Sequence, residues 1–169
     1  VNIPDKISGY YGNKMDNNTT IYTLDSGLTG LKEASSAFIS ATAESSENSR
    51  IGVATFNAYG NNLSNLVNAR DNKNSLKQTI ASIYAAGGTS PQKGLSIAQT
   101  NLANSKRTDV PQYVILFTDG APSEDTDKND SKEIARQLRE SGITVYTVGL
   151  KLNDETSNWL SENIASTNC

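Results

Sequence analysis

The 169-residue sequence contains no histidine, and its one cysteine, Cys169, stands at the very end. An internal disulfide is therefore impossible, as is a Cys/His zinc site. A hydroxyl or thiol nucleophile would have no imidazole to activate it. Any metal held by these residues must be held through oxygen, which narrows the ions to Mg²⁺, Mn²⁺ or Ca²⁺. Basic residues are also scarce: 15 Lys and Arg stand against 18 Asp and Glu, for a net charge of -3. With no basic stripe, nucleic acid is not expected as the main partner. No apolar run approaches the ~20 residues of a membrane span. The beginning lacks the basic-then-apolar layout of a signal peptide, so if the protein is secreted its targeting segments lie outside this sequence. What remains is a polar globular chain, 36% hydrophobic with a mean hydropathy of -0.50, long enough for one domain with a proper core. Its wealth of Asn, Ser and Thr suits a secreted or wall-exposed protein.

The strongest local signal is Gln112-Tyr113-Val114-Ile115-Leu116-Phe117-Thr118-Asp119-Gly120. Five apolar residues run unbroken into a Thr-Asp-Gly turn, the pattern of a parallel strand buried on both faces. Such a strand delivers the Asp119 carboxylate to its C-terminal edge, where open α/β sheets place ligands. The same residue could instead simply cap the turn.

Residues 1–27 read as irregular, punctuated by Pro4, Gly9 and Gly12 with a Tyr10-Tyr11 pair between, although Thr20–Leu24 alternates enough for a short strand. Leu28, Leu31, Ala34, Phe38 and Ala41 predict an amphipathic helix ending near Glu44, with Asp25 or Ser26 as N-cap. Ile51–Phe56 reads as a second buried strand and Leu63–Val67 as a short edge strand. Leu76, Ile80 and Ile83 mark a helix closed by Gly87-Gly88. Ser90 and Pro91 then suit the N-cap and first position of another, carrying Leu95, Ala98 and Leu102. Asp130-Ser131-Lys132-Glu133 resembles a capping box for a helix that stops at Gly142. Ile143–Gly149 is a strand, and Trp159, Leu160 and Ile164 predict a last helix. The alternation predicts an α/β fold: a doubly wound, mostly parallel sheet flanked by helices.

In such a sheet, Gly87-Gly88-Thr89-Ser90-Pro91 and Thr118-Asp119-Gly120 should converge at the C-terminal edge. A threonine hydroxyl and a carboxylate on neighbouring loops suit a hard divalent ion. The acidic run Ser123–Asp130 lacks the glycine and distal glutamate of an EF-hand and reads as a solvated loop. Tyr59 follows a strand and is equally placed to meet a ligand at this edge or to be an ordinary loop aromatic. No general base stands out, so an enzyme is not expected.

Taken in order, Ile51–Phe56, Gly87–Pro91, Leu116–Gly120 and Val145–Gly149 resemble the von Willebrand factor A domain, over roughly residues 28–165. The flavour is most like the A domains of Gram-positive surface and pilus adhesins. The resemblance implies a Rossmann-like fold and a metal-ion-dependent adhesion site holding Mg²⁺ (or Mn²⁺ or Ca²⁺) with three loops. Thr89 matches the second loop's threonine and Asp119 the third loop's aspartate. It further implies an extracellular module that binds a protein ligand, such as a host matrix or surface protein, through a carboxylate of that partner.

The first loop departs from the pattern. The family places Asp-x-Ser-x-Ser after an apolar central strand, ahead of the lysine matched here by Lys32. Asp25-Ser26-Gly27-Leu28-Thr29 follows a polar stretch and runs straight into a helix. Asp5 has only four residues before it, including Pro4, and Asp16 follows no apolar strand. The central strand is thus missing or degenerate, which would leave a gap between the Ile51 and Tyr113 strands. Two expectations stay open. In one, residues 1–27 are an insertion, residues 28–169 are an A domain incomplete at both ends, and another segment supplies the central strand. In the other, Thr20–Leu24 is a degenerate central strand beside an altered or non-functional metal site, as in a structural or assembly domain.

Overall fold

The computed structural model describes residues 11–15, 19–23, 26–105, 107 and 109–166. Asp5, Asp16, Asp25, Tyr10 and Cys169, which figured in the sequence reading, lie outside them. Strand β1 (Tyr11–Met15) and strand β2 (Thr19–Thr23) form an antiparallel hairpin. Part of the N-terminal segment read as irregular is therefore regular. The hairpin also separates the two expectations for Thr20–Leu24, because β2 pairs with β1 and with no other strand of the described residues.

Helix α1 (Ser26–Ser45) leads into β3 (Arg50–Phe56) and β4 (Gly60–Asn68), which pair antiparallel. Strand β4 is longer than the edge strand expected from Leu63–Val67. Helices α2 (Lys73–Ala81) and α3 (Pro91–Asn104) follow, then β5 (Tyr113–Thr118). Helix α4 (Asp125–Glu140), strand β6 (Thr144–Gly149) and helix α5 (Asp154–Asn163) complete the series. Strands β5 and β6 pair in parallel, in register from Tyr113 opposite Thr144 to Thr118 opposite Gly149. This is the expected doubly wound α/β arrangement, with its sheet in two halves. Among the described residues β3 pairs only with β4, and β5 only with β6.

The direction of β3 relative to β5 follows from what joins their ends. At the C-terminal ends, the Ser90 amide donates to the Asn57 carbonyl just beyond β3 at 3.0 Å. The Thr89 hydroxyl lies 3.8 Å from where a Cβ on Gly120, just beyond β5, would sit. At the N-terminal ends, Arg107 donates to the Asn48 carbonyl before β3 at 2.8 Å, and Gln112, before β5, donates to the Arg107 carbonyl at 2.6 Å. The two strands therefore run parallel and finish at one edge, with α3 as the strut between the ties.

Burial follows the same division. One cluster gathers Leu95 of α3, Val114 and Leu116 of β5, Ala135 and Leu138 of α4, Val145 of β6, and Leu160 and Ile164 at the end of the chain. The other joins Ile39 of α1 to Val53 of β3 and to Leu76 and Ile80 of α2. The apolar run of β5 was expected to be buried on both faces; instead Val114, Leu116 and Thr118 are buried while Ile115 and Phe117 are only partly so. The stripe expected on α1 is also rotated. Ser35, Ile39 and Ala43 are its buried residues, whereas Ala34 and Ala41 are exposed and Phe38 keeps 46% of its surface. Leu28, Leu31 and Phe38 instead line a cavity of about 1710 Å³, whose walls include Ile51–Phe56 of β3 and Val114–Thr118 of β5.

The α4 start was misplaced by the sequence reading. The acidic run read as a solvated loop is helical from Asp125, and Ser131, read as part of a capping box, is a fully buried helical residue. Asp125 and Asp127 in the first turn complement the positive end of the helix, which favours starting there. The stop is as expected: Gly142 adopts φ 78°, and the Ile143 amide bonds back to the Leu138 carbonyl at 3.0 Å, closing the helix with a left-handed residue.

Candidate functional site

The candidate site lies where β3 and β5 end. Each contributing loop is held by its own local chemistry. After β3, the Tyr59 amide donates to the Asn57 side chain at 2.7 Å and the Asn57 amide to the Tyr59 carbonyl at 2.9 Å, a tight turn that carries Tyr59 outward, 75% exposed. After β5, Thr118 closes the turn around Asp119. Its hydroxyl donates to the Gly120 carbonyl at 2.6 Å and accepts from the Gly120 amide at 3.2 Å. The Thr118 carbonyl accepts from the Leu150 amide at 2.9 Å, anchoring the same turn to the end of β6. Asp119 is left on the outside of that turn, exposed.

The loop before α3 comes closest to both. Gly87 takes φ 81° and packs against Asn57, and a Cβ there would meet that side chain at 3.3 Å. Ser90 occupies the N-cap position with Pro91 at the start of α3, as expected, yet its side chain does not cap. The Ser90 hydroxyl donates instead to Asp127 of α4 at 2.6 Å. Gln92 donates to the other carboxylate oxygen of Asp127 at 2.6 Å and accepts from the Ser131 hydroxyl at 3.3 Å. Ser90, Gln92 and Ser131 are all buried. A polar clamp thus fixes the start of α3 against α4 and leaves Thr89, one residue earlier, projecting toward the Asp119 turn.

The structure therefore brings Thr89 and Asp119 to the same edge, as the sequence predicted. Among the described residues neither side chain is committed to a hydrogen bond. A hydroxyl and a carboxylate oxygen are the donors a hard divalent ion prefers, so the two residues fit part of an Mg²⁺ or Mn²⁺ shell, which takes about six oxygens. Carboxylates alone do not make the site, for no group of three His, Cys, Asp or Glu among the described residues could hold a metal. Thr29, the other residue weighed for a first loop, lies within α1. The N-terminus of the 14-residue helix α3 adds a positive end at this edge.

Three residues that shape the site were not found by sequence reasoning. Asn57 follows a strand, which hints at a turn but not at its bond to a loop 33 residues on. Asp127 and Gln92 lie 35 positions apart, and nothing local announces their bond.

The von Willebrand factor type A domain family matches residues 23–168 of this chain. The collagen alpha-4(VI) chain of Mus musculus is 34% identical over 76 residues, which are 42% of this chain and 3% of that protein. This chain thus spans a small fraction of that relative. Among solved structures, the vWF domain of the type V pili tip protein Mfa5 from Porphyromonas gingivalis superposes with a TM-score of 0.69 at 14% identity, covering 81% of this chain and 78% of that one. The PilB minor pilin of Streptococcus sanguinis gives 0.66 at 16% identity, covering 81% and 47%. The manganese-loaded TRAP protein of Plasmodium vivax gives 0.57 at 20% identity, covering 79% and 57%. At these identities the superpositions speak to fold, and the family match to membership: the chain belongs to the von Willebrand factor type A domain family.

Proposed function

We propose that this domain is a cation-dependent protein-binding module of a bacterial surface or pilus protein, acting outside the cell. The observation that carries the reading is the meeting of Thr89 and Asp119 at one sheet edge, each with uncommitted oxygens. Bound there, Mg²⁺ or Mn²⁺ would supply a Lewis-acidic centre able to take a carboxylate of a partner protein. The Thr118 turn holds Asp119 outward, and the Ser90–Asp127 clamp sets Thr89. The positive end of α3 favours an incoming anion. Tyr59, exposed beside this edge, offers an apolar rim. The pilus proteins and the manganese-loaded protein among the structural relatives support this setting.

The test is isothermal titration of the chain with Mn²⁺ and Mg²⁺, repeated for Asp119→Ala. The reading expects saturable binding that Asp119→Ala weakens at least tenfold and EDTA reverses. Once a protein ligand is in hand, its binding should be lost under the same treatments. Ligand binding that survives both EDTA and Asp119→Ala would refute the proposal. A second reading, a structural or assembly domain with an incomplete site, is favoured by the donor count of two among the described residues. It expects no heat of cation binding at all.

A further inference from the structure

We infer that the cleft between β3 and β5 is a receptor for one additional β-strand, apolar on both faces, running parallel to both neighbours and supplied by polypeptide outside these 169 residues. The inference does not depend on the cation reading. Its first support is backbone chemistry. Strands β3 and β5 run parallel, are tied to each other at both ends, and are each paired on one side only among the described residues. Two facing rows of peptide groups are satisfied together only by another extended backbone laid between them. A small molecule would leave most of them unpaired. The cavity, about 1710 Å³, also exceeds the roughly 300–1,000 Å³ of ordinary ligand pockets.

The second support is the character of the walls. Val53 and Phe56 on one side and Leu116 and Phe117 on the other line the cleft, with Leu31 and Phe38 of α1 above it. A central strand covered by helices reads as a continuous apolar run, because both its faces are buried. The division of the core into two clusters is what such a strand would repair. Its length is set by its neighbours, seven residues in β3 and six in β5. The third support is direction. Both strands end at the Asn57, Thr89 and Gly120 edge, so a parallel insert would deliver its own C-terminal residues between Thr89 and Asp119. The Thr19–Thr23 strand is not this element, since it is paired with Tyr11–Met15.

The experiment adds a peptide in trans to the whole 169-residue chain. The probe is a fluorescein-labelled peptide carrying this chain's own Val114–Asp119 sequence, a known parallel strand, flanked by lysine pairs for solubility. The expected result is saturable binding with slowed hydrogen exchange confined to β3 and β5 amides. A peptide N-methylated at alternate residues, unable to complete a ladder, should bind at least tenfold more weakly. Phe38→Lys, at a half-exposed position that does not endanger folding, should also weaken binding at least tenfold. Equal binding of the N-methylated peptide, or no binding of either, would overturn the proposal. So would β3 and β5 amides protected before any peptide is added. If that protection rose with protein concentration, a second copy would fill the cleft; if it did not, the chain's own N-terminal residues would. All these readings are made in EDTA, so failure of the cation reading leaves them untouched.

Discussion

Replacing Asp127 with alanine tests whether the clamp at the start of α3 sets the site. Asp127 accepts two short bonds, from the Ser90 hydroxyl and the Gln92 amide, both at 2.6 Å. Bonds to a charged acceptor are worth roughly 1.5–3 kcal/mol each, and a buried donor left without a partner costs about 1–3 kcal/mol. Ser90 and Gln92 are buried while Asp127 itself is partly exposed. Water can therefore recover some of the loss, and the net cost should fall near 3 kcal/mol. For a domain of this size each kcal/mol lowers Tm by about 2–4 °C, so Asp127→Ala should melt ~6–12 °C below the parent. Asp127→Asn keeps an acceptor for Gln92 and turns an amide toward the Ser90 hydroxyl, which can accept; its cost should be about 1 kcal/mol. Differential scanning calorimetry measures both, and a Ser90→Ala, Asp127→Ala cycle isolates the pair. If the alanine and asparagine variants melt together within ~2 °C of the parent, the clamp does not hold the loop.

Two other perturbations follow from the same geometry. Gly94 packs α3 onto β3 so closely that a Cβ would approach Phe56 at 2.8 Å. Gly94→Ala should therefore cost about 1–3 kcal/mol despite alanine's better helix propensity, seen as a lower urea midpoint at unchanged m. A stabilised variant would show that the two elements can part freely. On α4, hydrogen bonds from Arg136 and Gln137 hold the Glu133 carboxyl down from 4.5 to about 2. A carboxyl lowered in the folded state stabilises fully above its unfolded value and loses that contribution as pH falls through its folded one. Glu133→Gln should thus lower Tm slightly at pH 7, with the difference closing between pH 4.5 and 2. The effect stays small because Glu133 and Arg136 are half exposed. A difference that persists undiminished at pH 2 would assign it to something other than charge.

What was legible in the sequence was what local physics dictates. The β5 run, the Pro91 start of α3 and the Gly142 stop each carry their cause within a few residues, and the structure has them there. Thr89 and Asp119 could be paired because α/β topology sends strand-end loops to one edge. The misreadings have a common origin in contacts that sequence does not display. Ser90 looked like a cap, but a carboxylate 37 residues away is a stronger acceptor partner than its own helix needs. Asp127 looked solvated because its neighbours are acidic, yet it faces buried donors from α3. The α1 stripe was placed on Leu28, Leu31 and Phe38, where an amphipathic helix should bury its largest residues. The structure buries Ser35, Ile39 and Ala43 instead.

That last discrepancy is informative because the sequence pattern and the packing disagree in a definite direction. A helix that has selected Leu and Phe for one face is patterned for an apolar neighbour on that face. Here those side chains look into the cleft between β3 and β5. The partial exposure of Ile115 and Phe117, on a strand whose composition calls for burial on both faces, points into the same space. The two halves of the sheet nevertheless hold their positions, because α3 packs against both and its ends are bonded to both. A frame held open by its own strut can receive a strand without rearranging, and the strand's end would emerge between the two oxygen donors already in place. Completion of the core and completion of the Thr89–Asp119 site would then be one event, so that cation affinity and thermal stability should rise together as the cleft is filled.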